Sequence, residues 1–191
     1  MSKRIALFAG VAFSALALTS TFVAPVRAEE KTVMVGGAAM YPSKNIIQNA
    51  VNSKDHTTLV AAVKAAGLVE TLEGKGPFTV FAPTNAAFGK LPAGTVDNLV
   101  KPEAKEKLVA VLTYHVVPGR MSAKDLMDAA KKAGGKAELK TVEGEELTVK
   151  KEDGKTWIID AKGDQSMVSS SNVHQSNGVI HVVDTVLMPA S

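Results

Sequence analysis

Cysteine is absent from this chain of 191 residues. Its absence excludes disulfides, thiolate metal sites, cysteine nucleophiles and a lipid-anchoring cysteine. Arginine is scarce as well, and occurs only at Arg4, Arg27 and Arg120. A nucleic-acid surface needs clustered basic side chains interleaved with aromatic ones, and the sequence contains no such cluster. We therefore expect a protein that folds on its apolar core alone, which this length allows, and that does not bind nucleic acid.

The N-terminus has the composition of an export signal. A basic pair precedes an apolar run over residues 5–18, and Val26-Arg27-Ala28 forms a small-residue cleavage site. An uncleaved anchor is the alternative, because residues 5–24 approach the length that spans a membrane. Polar residues interrupt that run before the cleavage site, which favours removal. We predict that residues 1–28 are a signal peptide and that the mature protein is secreted or periplasmic, with no membrane span.

The net charge of +3 belongs to this predicted signal. Removing Lys3, Arg4 and Arg27 from the 22 basic residues leaves 19, which equals the number of acidic residues. The mature protein is therefore close to neutral, and its overall charge gives no support for a nucleic-acid partner.

Apolar periodicity divides the rest of the chain. Residues 29–44 show no sustained period and predict an extended arm, which Met40 and Tyr41 would pin to the domain. Between residues 45 and 135, apolar residues recur at helical spacing and predict a series of short helices. The period then changes to two, and the predicted strands cover residues 138–142, 147–151 and 156–160, with a polar strand or loop over 166–173. Helices followed by strands favour the α+β class.

Residues 77–88 contain the best-defined local pattern. β-branched and aromatic residues at its start suit a half-buried strand, and Pro83 cannot continue the ladder of that strand. Thr84 and Asn85 follow, and either side-chain oxygen can cap the N-terminus of a helix that begins at Ala86. The segment therefore predicts a core strand that leads directly into a capped helix.

Two later segments complete a set of three. Residues 112–119 contain the pair Tyr114-His115, and residues 177–189 begin with an Asn-Gly turn signal followed by branched apolar residues. In order, spacing and composition, the three segments resemble the signature segments of the fasciclin-type (FAS1) domain. The resemblance covers Asn45 to Pro189 and is strongest to secreted, single-domain bacterial members. It implies an α+β fold, a β-sandwich or wedge with a flanking layer of short helices.

Histidine is the residue type that invites a metal or catalytic interpretation. His56, His115, His174 and His181 lack the i, i+4 spacing that places two imidazoles on one helical face, and no cofactor is expected. His181 lies between apolar residues of a predicted strand, which favours a structural role. His174 follows a polar segment beside the Asn-Gly turn and is a slightly better metal candidate.

The resemblance adds an expectation for the Tyr-His pair. In FAS1 domains this pair is tied by hydrogen bonds to the first signature segment, so His115 should meet a polar partner near Thr84 and Asn85, with Tyr114 anchored nearby. In animal members the pair is also linked to integrin-dependent adhesion, which makes Tyr114 and His115 candidates for partner contact.

A second adhesion determinant of animal members is only partly matched in this sequence. Their Asp-Ile pair just before the last segment aligns with Asn172-Val173 in this chain. Because the aspartate is missing, integrin recognition is not transferred, although Asn172 and Val173 stay candidates for contact with some other partner.

Enzyme motifs are missing from the sequence. It contains no Gly-x-Ser-x-Gly turn, no His-Glu-x-x-His helix and no phosphate-binding glycine loop. Ser169-Ser170-Ser171 could be drawn with His174 or His181 as a hydrolase, but no nucleophile turn supports that. We expect an exported, non-enzymatic interaction module for cell-surface or matrix adhesion, with a protein or glycan ligand. The alternatives are a small-molecule or lipid-binding module with a groove between helices and sheet, and a structural envelope or stress protein.

Overall fold

The computed structural model describes residues 32–190. The predicted signal peptide, residues 1–28, lies outside the described residues. The helices are α1 (Ile46–Ala50), α2 (Thr57–Ala66), α3 (Val69–Glu73), α4 (Asn85–Gly89), α5 (Thr95–Leu99), α6 (Lys105–Tyr114) and α7 (Ala123–Lys132), with 3-10 turns at Lys54–His56 and Pro102–Ala104. The strands are β1 (Val33–Val35), β2 (Ala38–Met40), β3 (Phe78–Pro83), β4 (Val116–Pro118), β5 (Lys136–Lys140), β6 (Glu146–Glu152), β7 (Lys155–Ile159), β8 (Gln165–Gln175) and β9 (Gly178–Val183).

Seven of these strands form one sheet in the order β4-β3-β9-β8-β7-β6-β5. The first and last signature segments supply the neighbouring parallel strands β3 and β9, in which Phe81 lies beside His181. The sheet curls until its two ends approach each other, and the Val142 N–H donates to the Val116 carbonyl at 2.8 Å. The α+β prediction is thus confirmed.

Apolar side chains fill both sides of the curled sheet. One cluster lies between the sheet and helices α1, α2 and α6, and includes Ala62, Val63 and Ile180. A second lies inside the curl, where Leu126 of α7 meets Leu147 and Ile158, among others. A smaller cluster surrounds Phe88 on α4. Strand β3 contributes to the first two clusters with successive residues, because neighbouring side chains on a strand point to opposite faces.

The predicted extended arm contains a β-hairpin. β1 and β2 pair antiparallel across Gly36 and Gly37, whose φ angles of 56° and 76° are typical of a tight two-residue turn. Met40 is buried in the first cluster as expected, whereas Tyr41 is exposed. The hairpin was missed because its strands are only three residues long, although the Gly-Gly pair is a known hairpin signal.

Candidate functional site

The two capping residues that follow β3, Thr84 and Asn85, cap two different helices. Thr84 is the N-cap of α4, and its Oγ1 accepts a hydrogen bond from the Ala87 N–H at 3.2 Å. Asn85 caps a different helix, because its Oδ1 accepts from the Thr58 N–H in the first turn of α2 at 3.0 Å. Its amide also donates to the Lys54 carbonyl at 2.8 Å. The corner therefore fixes the start of two helices.

His115 forms a buried tie between α6 and the C-terminal segment. Its Nδ1 donates to the Val111 carbonyl at 2.7 Å, and its Nε2 accepts from the Leu187 N–H at 3.0 Å. The prediction that His115 bonds a polar partner near Thr84 and Asn85 is therefore wrong. The ring instead accepts a hydrogen bond from the backbone of Leu187, which follows β9. Burial lowers the pKa of His115 to about 4, against the smaller opposing effect of the Val111 carbonyl. The ring is neutral at pH 7.

Tyr114 forms the neighbouring tie. Its hydroxyl donates to the Glu146 carbonyl at 2.9 Å and accepts from the Ala161 N–H at 2.8 Å, so it joins α6 to the strands of the meander. Burial raises the pKa of Tyr114 to about 12, although the Ala161 N–H acts in the opposite direction. Tyr114 and His115 are 0% and 2% exposed, so the expectation that they touch a partner is wrong for this conformation.

Asn172 and Val173 also make contacts within the domain. Val173 is buried in the first cluster, which removes it as a partner contact. Asn172 has a φ of 59°, and its Oδ1 accepts from the Ala123 N–H at the start of α7 at 2.7 Å. It supplements the capping box that Ser122 forms at the same helix end.

His181 lies on β9, which is paired with β3 on one side and β8 on the other. Its ring stacks on Phe81 with centroids 5.8 Å apart, and its Nε2 donates to the Met121 carbonyl at 2.9 Å. Nδ1 has no hydrogen-bond partner among the described residues. Burial lowers the pKa of His181, although the Met121 carbonyl opposes this effect. The ring thus joins β9 to the segment before α7.

The remaining polar candidates do not converge on a reactive centre. His174 is exposed on β8. Within residues 32–190, no three His, Asp or Glu side chains are grouped so that they could hold a metal ion. Ser169 donates its hydroxyl to the Val182 carbonyl at 3.2 Å, which gives that serine a structural bond.

Asn177 is a structural residue whose long-range role the sequence analysis missed. Its Oδ1 accepts from the Ile46 N–H at 3.1 Å, and its amide donates to the carbonyls of Leu72 and Gly74 at 2.7 and 2.9 Å. One buried side chain thereby holds α1, the end of α3 and the turn before β9. The Asn-Gly pair predicted only the turn.

The outer face of strands β5 to β8 carries an apolar patch that the sequence analysis also missed. Trp157 of β7 is paired with Met167 of β8, and Ile159 lies two residues further along β7 on the same face. All three side chains are half-buried. Their neighbours on β7 and β6, Ile158 and Val149, point inward and are buried. The surrounding outward side chains are polar and of both charges: Lys136, Glu138, Thr148, Lys150, Glu152 and Lys155. We call these nine residues the outer sheet face.

The alternation along β7 could have revealed this patch. In Lys155-Thr156-Trp157-Ile158-Ile159, a period of two places Lys155, Trp157 and Ile159 on one face. The sequence alone does not tell which face is covered, since both carry large apolar residues.

Comparisons with known proteins agree with this architecture. Residues 54–189 match the family model of the Fasciclin domain. The chain is 45% identical over 188 residues to protein sll1483 of Synechocystis sp., covering 98% of this chain and 97% of that protein. It is 38% identical over 165 residues to the cell surface glycolipoprotein MPB83 of Mycobacterium bovis, covering 81% of this chain and 64% of the other.

A solved structure shows the same fold. The FAS1 domain pair of the insect cell adhesion molecule fasciclin I superposes with a TM-score of 0.69 at 20% identity, covering 78% of this chain and 52% of that one. The fold is thus that of a FAS1 domain. The chain belongs to the fasciclin-domain family.

Proposed function

We propose that this protein is exported and acts at the cell surface or in the surrounding matrix as a non-enzymatic interaction module. The outer sheet face would bind another protein. Export is supported by the sequence of residues 1–28 and by relatives such as MPB83, whose name places it at the cell surface. No described helix is long and apolar enough to cross a membrane.

The way in which the signature segments use their polar groups supports a non-enzymatic role. Thr84, Tyr114 and His115 bond backbone groups of the protein itself. A nucleophile and a base within reach of one another, open to a substrate, would favour catalysis instead. Nothing in these contacts directs a reactive atom toward solvent.

The outer sheet face is the observation that carries the proposed binding mode. Trp157 and Met167 are of the residue types enriched at protein interfaces, and tryptophan in particular supplies much of the binding energy. Around them, Lys150 and Glu152 form an ion pair of 2.9 Å. An apolar centre with a rim of mixed charge is the usual anatomy of a protein–protein interface.

A protein fits this face better than a small molecule. Small-molecule sites are concave and enclose most of their ligand, whereas the face is formed by outward side chains on neighbouring strands. A glycan partner is the competing outcome of the experiment below.

Photo-crosslinking on intact cells tests the proposal. A photoreactive residue at Met167 should link a defined surface or matrix protein, and one at the exposed Val100, directly after α5, should not. Trp157→Thr should weaken binding of the purified, identified partner at least about tenfold. Val142→Thr is the matched control, because Val142 is an exposed apolar residue that does not belong to this face, and this variant should bind as the unaltered protein does.

Equal binding by Trp157→Thr and by the unaltered protein would overturn the assignment of this face. Loss of crosslinking after glycosidase treatment of the cells, with no change after protease treatment, would show that the partner is a glycan. Thermal unfolding of both variants establishes that binding is compared between folded proteins.

A further inference from the structure

Strand β5 forms one end of the seven-stranded sheet, and its antiparallel partner is β6. Next to the turn between them, the Thr141 N–H donates to the Glu145 carbonyl at 3.0 Å. Hydrogen-bonded and non-hydrogen-bonded pairs alternate in an antiparallel ladder, so every second residue counted from Thr141 directs its backbone groups toward β6. The residues between them, Lys136, Glu138 and Lys140, direct their N–H and carbonyl groups away from β6.

The contact between the two ends of the sheet agrees with this alternation. Val142 lies two residues beyond Lys140, and its N–H donates to the Val116 carbonyl of β4. Pro118, two residues further along β4, has no N–H with which to continue a ladder. Among the backbone hydrogen bonds of the described residues, none involves the outward groups of Glu138 or Lys140. The edge of β5 is therefore unpaired where the two ends of the sheet diverge.

The two faces of β5 differ in what covers them. Helix α7 approaches the inner face, where Leu139 lies in the same buried cluster as Leu126 of α7. On the outer face, the side chains of Lys136, Glu138 and Lys140 are exposed. A ligand can therefore reach the open edge from the outer face.

The spacing of the outward groups indicates what kind of ligand they fit. Each outward residue offers one donor and one acceptor, and successive outward residues are about 7 Å apart along the strand. Another extended chain presents acceptors and donors at the same interval and adds to an exposed edge as a further strand. A small molecule offers no such repeat. The edge of β5 therefore fits a polypeptide segment.

The charges on the edge disfavour a second copy of this chain as that segment. If two β5 strands paired antiparallel about Glu138, this residue would lie opposite its own copy, and Lys136 would lie opposite Lys140. Like charges directly opposite each other are destabilising. A register shifted by two residues pairs only two outward residues of each strand, because Gly134, with a φ of 76°, lies beyond one end and Val142 is already bonded to β4 at the other.

We infer that the edge of β5 binds an extended segment of another protein, in which acidic, basic and acidic residues alternate with apolar ones. In an antiparallel pairing the three charged residues lie opposite Lys136, Glu138 and Lys140, where each meets the opposite charge. The apolar residues between them point inward and lie beside Ala137 and Leu139, which are buried. The inference goes beyond the proposed function, because it requires no contact with the apolar centre of the outer sheet face.

Titration of the ¹⁵N-labelled full chain with synthetic peptides, followed by NMR, tests this inference. The first peptide is Thr-Glu-Val-Lys-Val-Glu-Thr with both ends capped. It should shift the amide signals of Glu138 and Lys140 until they saturate, and it should slow hydrogen exchange at both amides. The charge-inverted peptide Thr-Lys-Val-Glu-Val-Lys-Thr should bind at least about fivefold more weakly.

N-methylation of the first peptide distinguishes strand pairing from simple charge attraction. In the bound strand the central lysine of the peptide directs its N–H toward β5, whereas both valines direct theirs away. A methyl group on the lysine nitrogen should weaken binding at least about tenfold, because it removes a hydrogen bond and blocks the approach of the strand. The same group on the nitrogen of the following valine should leave binding unaltered.

Matched charge variants test the pairing from the side of the protein. Glu138→Lys should weaken binding of the first peptide at least about fivefold, since the new positive charge would lie opposite the lysine of the peptide. Glu103→Lys makes the same charge change at an exposed position outside the sheet and should leave binding unaltered. Thermal unfolding of both variants establishes that binding is compared between folded proteins.

The inference is overturned if the first peptide gives no saturable shifts at β5, if the two methylated peptides bind alike, or if the two charge variants bind alike. It is also overturned if the Glu138 amide exchanges as slowly as the Leu139 amide in the free protein, because its N–H would then already be bonded. The crosslinking result at Met167 does not depend on these peptides, so the two proposals fail separately.

Discussion

At the scale of single residues, buried imidazoles join distant parts of this protein. His115 links α6 to the segment after β9, and His181 links β9 to the segment before α7. Both rings, and that of His56, have lowered pKa values, chiefly because burial disfavours the charged form. Each ring is neutral and buried, so protonation places a charge in the core, and in His115 it also removes the acceptor of the Leu187 N–H.

Acid should therefore destabilise the protein. A histidine whose pKa is lower in the folded state stabilises fully above its unfolded pKa of 6.5, and this contribution declines as the pH falls toward the folded value. For His115, with a folded pKa of about 4, the loss between pH 6.5 and 4 is about 3 kcal/mol. Urea unfolding at a series of pH values measures it.

Two variants isolate the contribution of His115. His115→Gln should lower the stability at pH 7 but reduce its decline with acid, while His56 and His181 keep part of the slope. His174→Gln changes an exposed ring and should retain the full decline. An unchanged pH slope in His115→Gln would contradict the assignment.

At the scale of secondary-structure elements, side chains from one element complete another. Asn85 at the start of α4 caps α2, Asn172 of β8 supports the start of α7, and Asn177 holds α1. Asparagine suits these positions because one side chain carries both a donor and an acceptor. The short helices are thus stabilised mainly by tertiary contacts, since helices of five residues are not stable alone.

The two capping residues should behave differently when they are replaced. Thr84→Ala should lower the free energy of unfolding by about 1 kcal/mol and increase amide hydrogen exchange at the start of α4. Asn85→Ala should cost a similar amount but increase exchange at Thr58, in α2. The double variant should be less stable than either single one. Increased exchange confined to α4 in the Asn85 variant would mean that this residue does not cap α2.

The N-terminal hairpin is fixed to the domain at its turn. The Lys54 N–H donates to the Gly36 carbonyl at 3.1 Å. A side chain at Gly36 would clash with the Ser53 Oγ and come within 2.7 Å of the Asp55 nitrogen, whereas one at Gly37 would meet nothing within 4 Å.

Gly36→Ala should consequently destabilise the protein more than Gly37→Ala. Both substitutions place alanine at a positive φ, which costs about 1–2 kcal/mol, so their difference reports the contact between the turn and residues 53–55. Urea midpoints and hydrogen exchange at Lys54 provide the measurement. Equal midpoints would show that the hairpin does not dock through its turn.

At the scale of the whole molecule, one curled sheet separates two apolar clusters and leaves an outer face. Helix α7 packs inside the curl, where Leu126 is fully buried. Trp157 and Met167 lie on the opposite side of the same strands. The fold thereby combines an internal network of structural polar groups with the outer sheet face, at which we propose that a partner binds.

Export predicts a defined N-terminus for the mature protein. N-terminal sequencing of protein from its native host should begin at Glu29, because the predicted cleavage site lies after Ala28. Recovery of the intact chain from the membrane fraction would show that residues 1–28 remain as an anchor.

The sequence by itself determined the class of the fold and most element positions. Turn and capping signals act over a few residues, so Pro83, Thr84 and the Asn-Gly pair could be interpreted locally. The three signature segments identified the domain type for the same reason, because each is a short continuous pattern. The hairpin of residues 33–40 was within reach, since its Gly-Gly turn is local too.

Only the tertiary structure decided the partners of the polar residues. His115 meets Leu187 across 72 residues of chain, and Asn177 meets Ile46 across 131. No local periodicity encodes such pairings, because they depend on how the sheet curls and where the helices pack. The same is true of the outer sheet face. Period-two alternation puts Trp157 and Ile158 on opposite faces, but which face lies inward depends on the position of α7.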